Sequence, residues 1–376
     1  MARALRGEVL EPDAIGVYHC FNRIVRRSFL CGFDPHTNTD YSHRRDWFFQ
    51  RLKLLAEHFA IDVLAYAILS NHFHLVLRTR PDLVAKMSDR EVVTAWLMIC
   101  PKSPRNQDGT AKPPTEEEIR AELKGDEYLA ELRGRLSNPS WLLRQLCQYM
   151  GMRCNGEDKM RGHFWESRFG MKRLLDEAAI LACLAYVDLN PIRAGLADSL
   201  EGYQQVSIGE RLRTLDGDQV DTSSWLAPLE LAGETDGEPV KVVNRLTPEE
   251  LDELVNAGAE RPLGCLPMRL EEYAELLRWL AGNPSKANAA AGSTDSSAAS
   301  AEAAGGSAAI LRRLSLDPAA FADLVGNFGK RFSTAVGCPE SLKREALRRG
   351  RRRLRAPGGL ALARRHPKPP TAAVAG

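Results

Sequence analysis

The chain has 376 residues, 44% of them hydrophobic and 27% charged, with a formal net charge of +2. That length allows about two domains, and the balance is that of a globular chain with ample core material, which excludes fibrous and wholly disordered classes. No run of 18 or more apolar residues occurs and MARALRGEVLEPDAIGVYHC at the start has no apolar signal core, so a cytoplasmic protein without a membrane partner is expected. The small net charge hides a basic run, KREALRRGRRRLRAPGGLALARRHPK over 343–368, which either tethers nucleic acid non-specifically or is a solvated tail. The eight cysteines are scattered without a Cys-x-x-Cys pair and read as reduced thiols, mostly small core residues.

In chain order, GVYHCFNRIVRRSFLC (16–31) mixes aromatic and β-branched residues with arginines and predicts a strand running into a basic turn. YSHRRDWFFQRLKLLAEHFA follows, with Trp47, Leu52, Leu55 and Phe59 at helical spacing. IDVLAYAIL predicts an apolar strand, and Ser70-Asn71 a tight hairpin into HFHLVLRT. Residues 80–138 form a charged helical insertion, and SWLLRQLCQYMGMRCNG a further helix. RGHFWESRFGMKRLL predicts a strand entered through a turn at Gly162. DEAAILACLAYVDLN predicts a helix with acidic residues in its first turn, stopped by Pro191.

This order is the βαββαβ pattern of an α+β, ferredoxin-like antiparallel sheet with helices on one face, plus one extra helix. The expected organisation is a main domain over 1–209 and an acidic, helical extension over 210–282. A flexible linker follows over 283–308, then a short helical segment and the basic tail over 309–376.

Strand alternation puts His72, His74, Val76 and Arg78 on one face and Phe73, Leu75 and Leu77 on the other. In the last helix Ile180, Cys183, Leu184 and Val187 form the buried stripe, while Tyr186 and Asn190, four apart, share its edge. A strand facing water can carry two histidines without a role, and a core-edge tyrosine followed by a helix-ending asparagine is equally ordinary. Together they fit one scheme. Two neutral imidazoles and an amide oxygen hold a divalent cation with positions open for a phosphate, and Tyr186 attacks phosphorus.

The segments YHCFNRIVRRSFL, AYAILSNHFHLVLR, GHFWESRFGMKRLLDEAA and AYVDLNPIRAGLA together resemble the REP-associated tyrosine transposases of the single-tyrosine HUH superfamily, over about residues 14–200. His72-Phe73-His74 matches the His-hydrophobe-His signature, and the Tyr-x-x-x-Asn-Pro-x-(Arg/Lys)-x-Gly segment places the tyrosine at Tyr186 and the third metal ligand at Asn190. The resemblance implies a ferredoxin-like fold, Mg²⁺ or Mn²⁺, and cleavage of single-stranded DNA near hairpins that leaves a 5′-phosphotyrosine and a free 3′-hydroxyl. A homodimer is compatible with it. The insertion at 80–138 and the C-terminal third depart from the pattern, so self-mobility and domestication both stay open.

Tyr149 is the rival nucleophile, although Arg153 four residues on is no metal ligand; His19, His163, Glu166 and Asp188 are lesser candidates near the site. Arg23, Arg26, Arg27, Arg161, Arg168, Lys172, Arg173 and Arg193, interleaved with Phe164, Trp165 and Phe169, are the expected DNA contacts. Two other readings compete: a DNA-binding protein that has lost chemistry, and a metal-dependent phosphoesterase that uses water.

Overall fold

The computed structural model describes residues 6–25, 29–102, 112–203, 205–215, 225–230, 264–282 and 298–354. Arg26, Arg27 and the tail beyond residue 354 lie outside them. Strand β1 is Val17–Arg23, helix α1 Arg44–His58, and strands β2 Ile61–Ile68 and β3 His72–Thr79 form the hairpin at Ser70-Asn71. Helices α2 Asp89–Ile99, α3 Glu116–Glu122 and α4 Asp126–Leu136 lie in the insertion, and α5 is Pro139–Glu157. Strand β4, Gly170–Leu174, and helix α6, Glu177–Asp188, complete the expected series. Further on come α7 Ser207–Leu215, α8 Leu270–Gly282, α9 Ala298–Arg313, α10 Pro318–Arg331, the short strand β5 Ala335–Val336 and α11 Pro339–Arg348.

The result is an α+β fold on a five-stranded mixed sheet in the order β2-β3-β1-β4-β5. The first four strands pair antiparallel; β5 joins β4 in parallel, Arg173 opposite Ala335. Every residue of β2 is buried, which explains the apolar run after Asp62: the strand is covered on both faces and has no solvent side to encode.

Helices cover both faces of the sheet rather than one. On one side α1 and α5 pack Phe48, Leu52, Leu55, Leu142, Leu146 and Met150 against Phe73, Leu75 and Leu77 of β3. On the other, α6 packs against Leu64, Ala67 and Val76, beneath Tyr273 and Leu277 of α8 and Phe321 and Phe328 of α10. The one-sided stripe expected for α6 is therefore corrected: Tyr186 alone among residues 178–188 is not fully buried. The second cover comes from residues more than 80 positions away, which no local periodicity in α6 can announce. The Asp176 carboxylate caps α6 by accepting from Ala179 N at 3.0 Å, and it also accepts from Cys338 N at 2.6 Å. The helix cap thus also anchors the chain just after β5.

Where a linker was expected over 283–308, residues 283–297 lie outside the described residues, and Ala298 onward is helical. In α10 the buried residues Phe321, Leu324, Val325 and Phe328 recur at i, i+3, i+4 and i+7, so this segment is an integral layer over α6. None of the eight cysteines forms a disulfide, and all but the half-buried Cys100 are buried. Among the described residues no helix is long and apolar enough to cross a membrane.

Candidate active site

Register decides which histidines meet. In the β1–β3 ladder Phe21 lies opposite His74 and Arg23 opposite His72, and the alternation that turns His72 and His74 toward α6 also turns His19 there. His19 Nε2 and His74 Nδ1 are 3.0 Å apart, and the His72 and His74 rings lie 5.1 Å apart. His19 and His74 are buried. Burial, joined by the nearby Lys172, holds His19 well below the ordinary imidazole range. Burial, with the neighbouring imidazoles, Lys172 and Arg23, does the same to His74. His72 is brought down to about 4, first by burial and then by Arg23.

All three rings are therefore neutral at neutral pH, the state a metal ligand requires. His72 Nδ1 hydrogen-bonds Asn71 Oδ1 at 2.6 Å. His74 Nδ1 faces His19, while its Nε2 is buried with no hydrogen-bond partner among the described residues. In the tautomer in which His74 Nδ1 donates to His19 Nε2, the His74 Nε2 lone pair is left for a cation and His19 Nδ1 carries a proton with no partner among the described residues.

Tyr186 completes the group from α6. Its ring centre lies 5.4 Å from that of His74 and 5.9 Å from that of His19. Burial pushes the hydroxyl up; a hydrogen bond with Asn190 pulls it down, as do the positive charges of Arg193 and Arg23. Asn190 is buried where the main helix ends, in the single turn Asn190–Arg193 that Pro191 opens. Among the described residues no group of three or more His, Cys, Asp or Glu side chains is arranged to hold a metal. A cation here would need the two imidazoles and the Asn190 amide, and the unpaired Nε2 of His74 fits that donor set.

Were a cation held by His72, His74 and Asn190 with His19 orienting His74, His19→Ala should weaken Mn²⁺ binding by about 10- to 100-fold in calorimetry while leaving the melting curve cooperative; no Mn²⁺ binding by the wild type would remove the premise.

No family model matches the chain, and no curated protein matches it. Among solved structures, a chain described as "Structure of the REP associates tyrosine transposase bound to a REP hairpin" is 12% identical, with 60% of this chain and 93% of that chain covered, at a TM-score of 0.30. The likeness is weak. It carries no argument, and the site is read from its own geometry.

Two further groups close over the tyrosine, both from α10. Phe328 stacks on the Tyr186 ring at 5.2 Å and 28°. A Cβ added to Gly329 would lie 2.9 Å from the Tyr186 hydroxyl, so glycine is what allows α10 to approach this closely. Gly329→Ala should lower stability by about 1–2 kcal/mol in denaturant melts, since either α10 or the Tyr186 ring must shift.

The expected DNA contacts divide. Arg23, Arg161 and Arg168 are exposed. Lys172 is buried opposite His19 and donates to Gly329 O at 3.3 Å. Arg193 donates to Val325 O at 2.6 Å, and Arg173 pairs with Glu345 at 3.1 Å and with Glu11. Lys172, Arg173 and Arg193 thus hold the C-terminal elements in place rather than standing free for phosphates. Arg348 and Arg349, at the head of the basic run, likewise fold onto Glu345.

Tyr149 lies on α5, across the sheet from the histidines, with its hydroxyl hydrogen-bonded to Arg153. His163 and Glu166 are exposed in the 161–169 segment, an irregular loop where a strand was expected. Asp188 points away from the site toward α7 and α8. Arg78 shares the histidine face, but it is buried in an ion pair with Asp62 at 2.7 Å. The sequence undervalued His19 and missed Phe328 and Gly329. Only the alternation of β1 signalled His19.

Proposed function

We propose that this chain is a metal-dependent transposase or strand-transfer nuclease of the single-tyrosine HUH type, acting on single-stranded or hairpin DNA. One observation carries the reading: His72 and His74 from β3 and Tyr186 from the far end of α6 meet on one face of the sheet, with Asn190 of the following turn hydrogen-bonded to the tyrosine. The connectivity β1-α1-β2-β3-α5-β4 with antiparallel order β2-β3-β1-β4 supports a ferredoxin-like reading of the core.

His72, His74 and the Asn190 amide would hold Mg²⁺ or Mn²⁺, which supplies polarisation of a phosphoryl oxygen when bound. The chain's own residues do the rest. Tyr186 Oη attacks phosphorus, forming the tyrosyl O–P bond while the P–O3′ bond breaks. The phenolic proton is released as the leaving oxygen becomes a 3′-hydroxyl. Rejoining reverses these steps with another 3′-hydroxyl, and the phosphotyrosine conserves the bond energy meanwhile. Because burial disfavours the phenolate, the Asn190 hydrogen bond and the charges of Arg193 and Arg23 are what favour it. An Asn190 that donates from Nδ2 keeps Oδ1 for the cation.

The test uses labelled single-stranded hairpins from the flanks of the encoding gene, with Mg²⁺, Mn²⁺ or a chelator, resolved on denaturing gels. A covalent adduct that forms with metal and disappears with chelator is expected. Binding with no adduct in either metal would favour a DNA-binding protein without chemistry, a reading that the Phe328 cover over Tyr186 supports.

A further inference from the structure

The aromatic loop that failed to be a strand builds a second feature. Residues 164–166 lie alongside the end of β1: Val25 N donates to Phe164 O at 2.9 Å, Glu166 N donates to Arg23 O at 2.9 Å, and Ile24 bridges Trp165. Trp165 is fixed by donating from Nε1 to Cys147 O at 2.7 Å. Between this loop and α5 opens a cleft of about 830 Å³. That volume falls within the usual range for small-ligand sites.

Its walls are aromatic, with Trp141, Phe164, Trp165 and Phe169; the exposed Gln148 amide stands between them, while the Asn22 amide at the floor is already bonded to Cys147 Sγ and Arg23 N. Ser140 Oγ, also in the lining, is buried without a hydrogen-bond partner among the described residues. Arg144 and Arg168 stand in the lining against a single carboxylate, Glu166. The acidic pair just beyond, Glu157 and Asp158, is already bound by Arg44.

We infer that this cleft is a subsite for unstacked nucleobases of the single strand that the histidine face processes. Flat π-surfaces with an exposed amide between them suit base faces and edges, and arginines suit the phosphates between bases. An apolar peptide would leave the exposed Gln148 amide unanswered.

Position adds a second argument. Alternation along β1 turns Asn22 into the cleft and Arg23, opposite His72, toward the histidines. The two sites therefore sit on opposite faces of the sheet at the same strand end, and a strand passing over the end of β1 reaches both. The inference rests on the single-strand reading proposed above.

The full-length chain is mixed with a single-stranded oligonucleotide from the gene flank carrying 5-iodouracil at successive positions, irradiated, and the crosslinks mapped by mass spectrometry. Affinity is measured for the same strand with and without abasic sites, on wild type and on Gln148→Trp, an exposed cleft-filling change, and Arg144→Ala. Crosslinks at Trp141, Trp165 or Phe169 are expected, with about 10-fold weaker binding for Gln148→Trp and for strands abasic at the crosslinking positions. Arg144→Ala should weaken intact and abasic strands alike, by about 3-fold. A Tyr186 adduct with crosslinks elsewhere and wild-type affinity in Gln148→Trp overturns the subsite and leaves the nuclease reading standing. No binding of single strands by the wild type overturns both.

Discussion

Tyr186→Phe is expected to abolish the covalent DNA adduct, lowering strand cleavage by about 10⁴-fold or more, while Tyr149→Phe cleaves like wild type. The substitution removes one oxygen and keeps the ring. The stack on Phe328 and the edge contacts with His74 and His19 survive, so the variant should fold and still bind DNA. The Asn190 side chain loses its hydroxyl partner, a loss of about 1 kcal/mol at most in a group that a cation can still engage. Tyr149 has no route to the same phosphate, since it packs with α1 and α5 on the far face of the sheet. An adduct retained in Tyr186→Phe and lost in Tyr149→Phe would reverse the assignment.

The largest stability effect is expected at Asp188, two residues beyond the proposed nucleophile. Its buried carboxylate accepts from Ser207 Oγ at 2.6 Å, Ile208 N at 3.0 Å and Tyr273 Oη at 2.7 Å, joining α6 to both α7 and α8. Asp188→Ala leaves Ile208 N and Tyr273 Oη unanswered and Ser207 Oγ with only the longer bond to Tyr66 O at 3.4 Å, and should cost about 3–5 kcal/mol in urea melts. Asp188→Asn keeps an acceptor and the shape, and should cost about 1 kcal/mol near pH 4.

The two variants also differ in their dependence on pH. Burial raises the Asp188 pKa despite the opposing Arg211 charge and the three hydrogen bonds. The folded state therefore holds this proton to higher pH than the unfolded chain, whose carboxyl titrates near about 3.9. The stability this group contributes is full below that value and is lost as pH rises through the folded pKa. Wild type should thus lose part of its advantage over Asp188→Asn as pH rises above about 4; a gap that widens would show that the carboxylate is favoured in the fold.

Much of the candidate site was legible because two short periods encode it. Period two along β3 puts His72 and His74 on one face whatever the rest of the chain does, and the four-residue step of a helix puts Tyr186 beside Asn190. The hairpin at Ser70-Asn71 and the end of α6 before Pro191 are likewise local events, written in turn chemistry and in a missing N–H.

The same rules misread what depends on neighbours. The turn expected at Gly162 is there, with φ +114, but GHFWESRF, for all its strand-forming residues, is held by the end of β1 and by the Trp165 bond to Cys147 O of α5, so it lines a cleft and the strand begins only at Gly170. Lys172 and Arg173 look like surface cations in a list, but one is buried over the histidines and the other pairs with Glu345 from a helix more than 160 residues later.

The sequence by itself determined the order of the elements, the two faces of β3 and the pairing of Tyr186 with Asn190, because each follows from backbone geometry over at most a few residues. Only the tertiary structure decided that His19 faces His74, that Asp188 is a structural tie and that Phe328 and Gly329 close over the tyrosine. Those contacts depend on strand register and on the docking of remote helices. Both are set by burial of apolar surface across the whole molecule, and no local pattern records them.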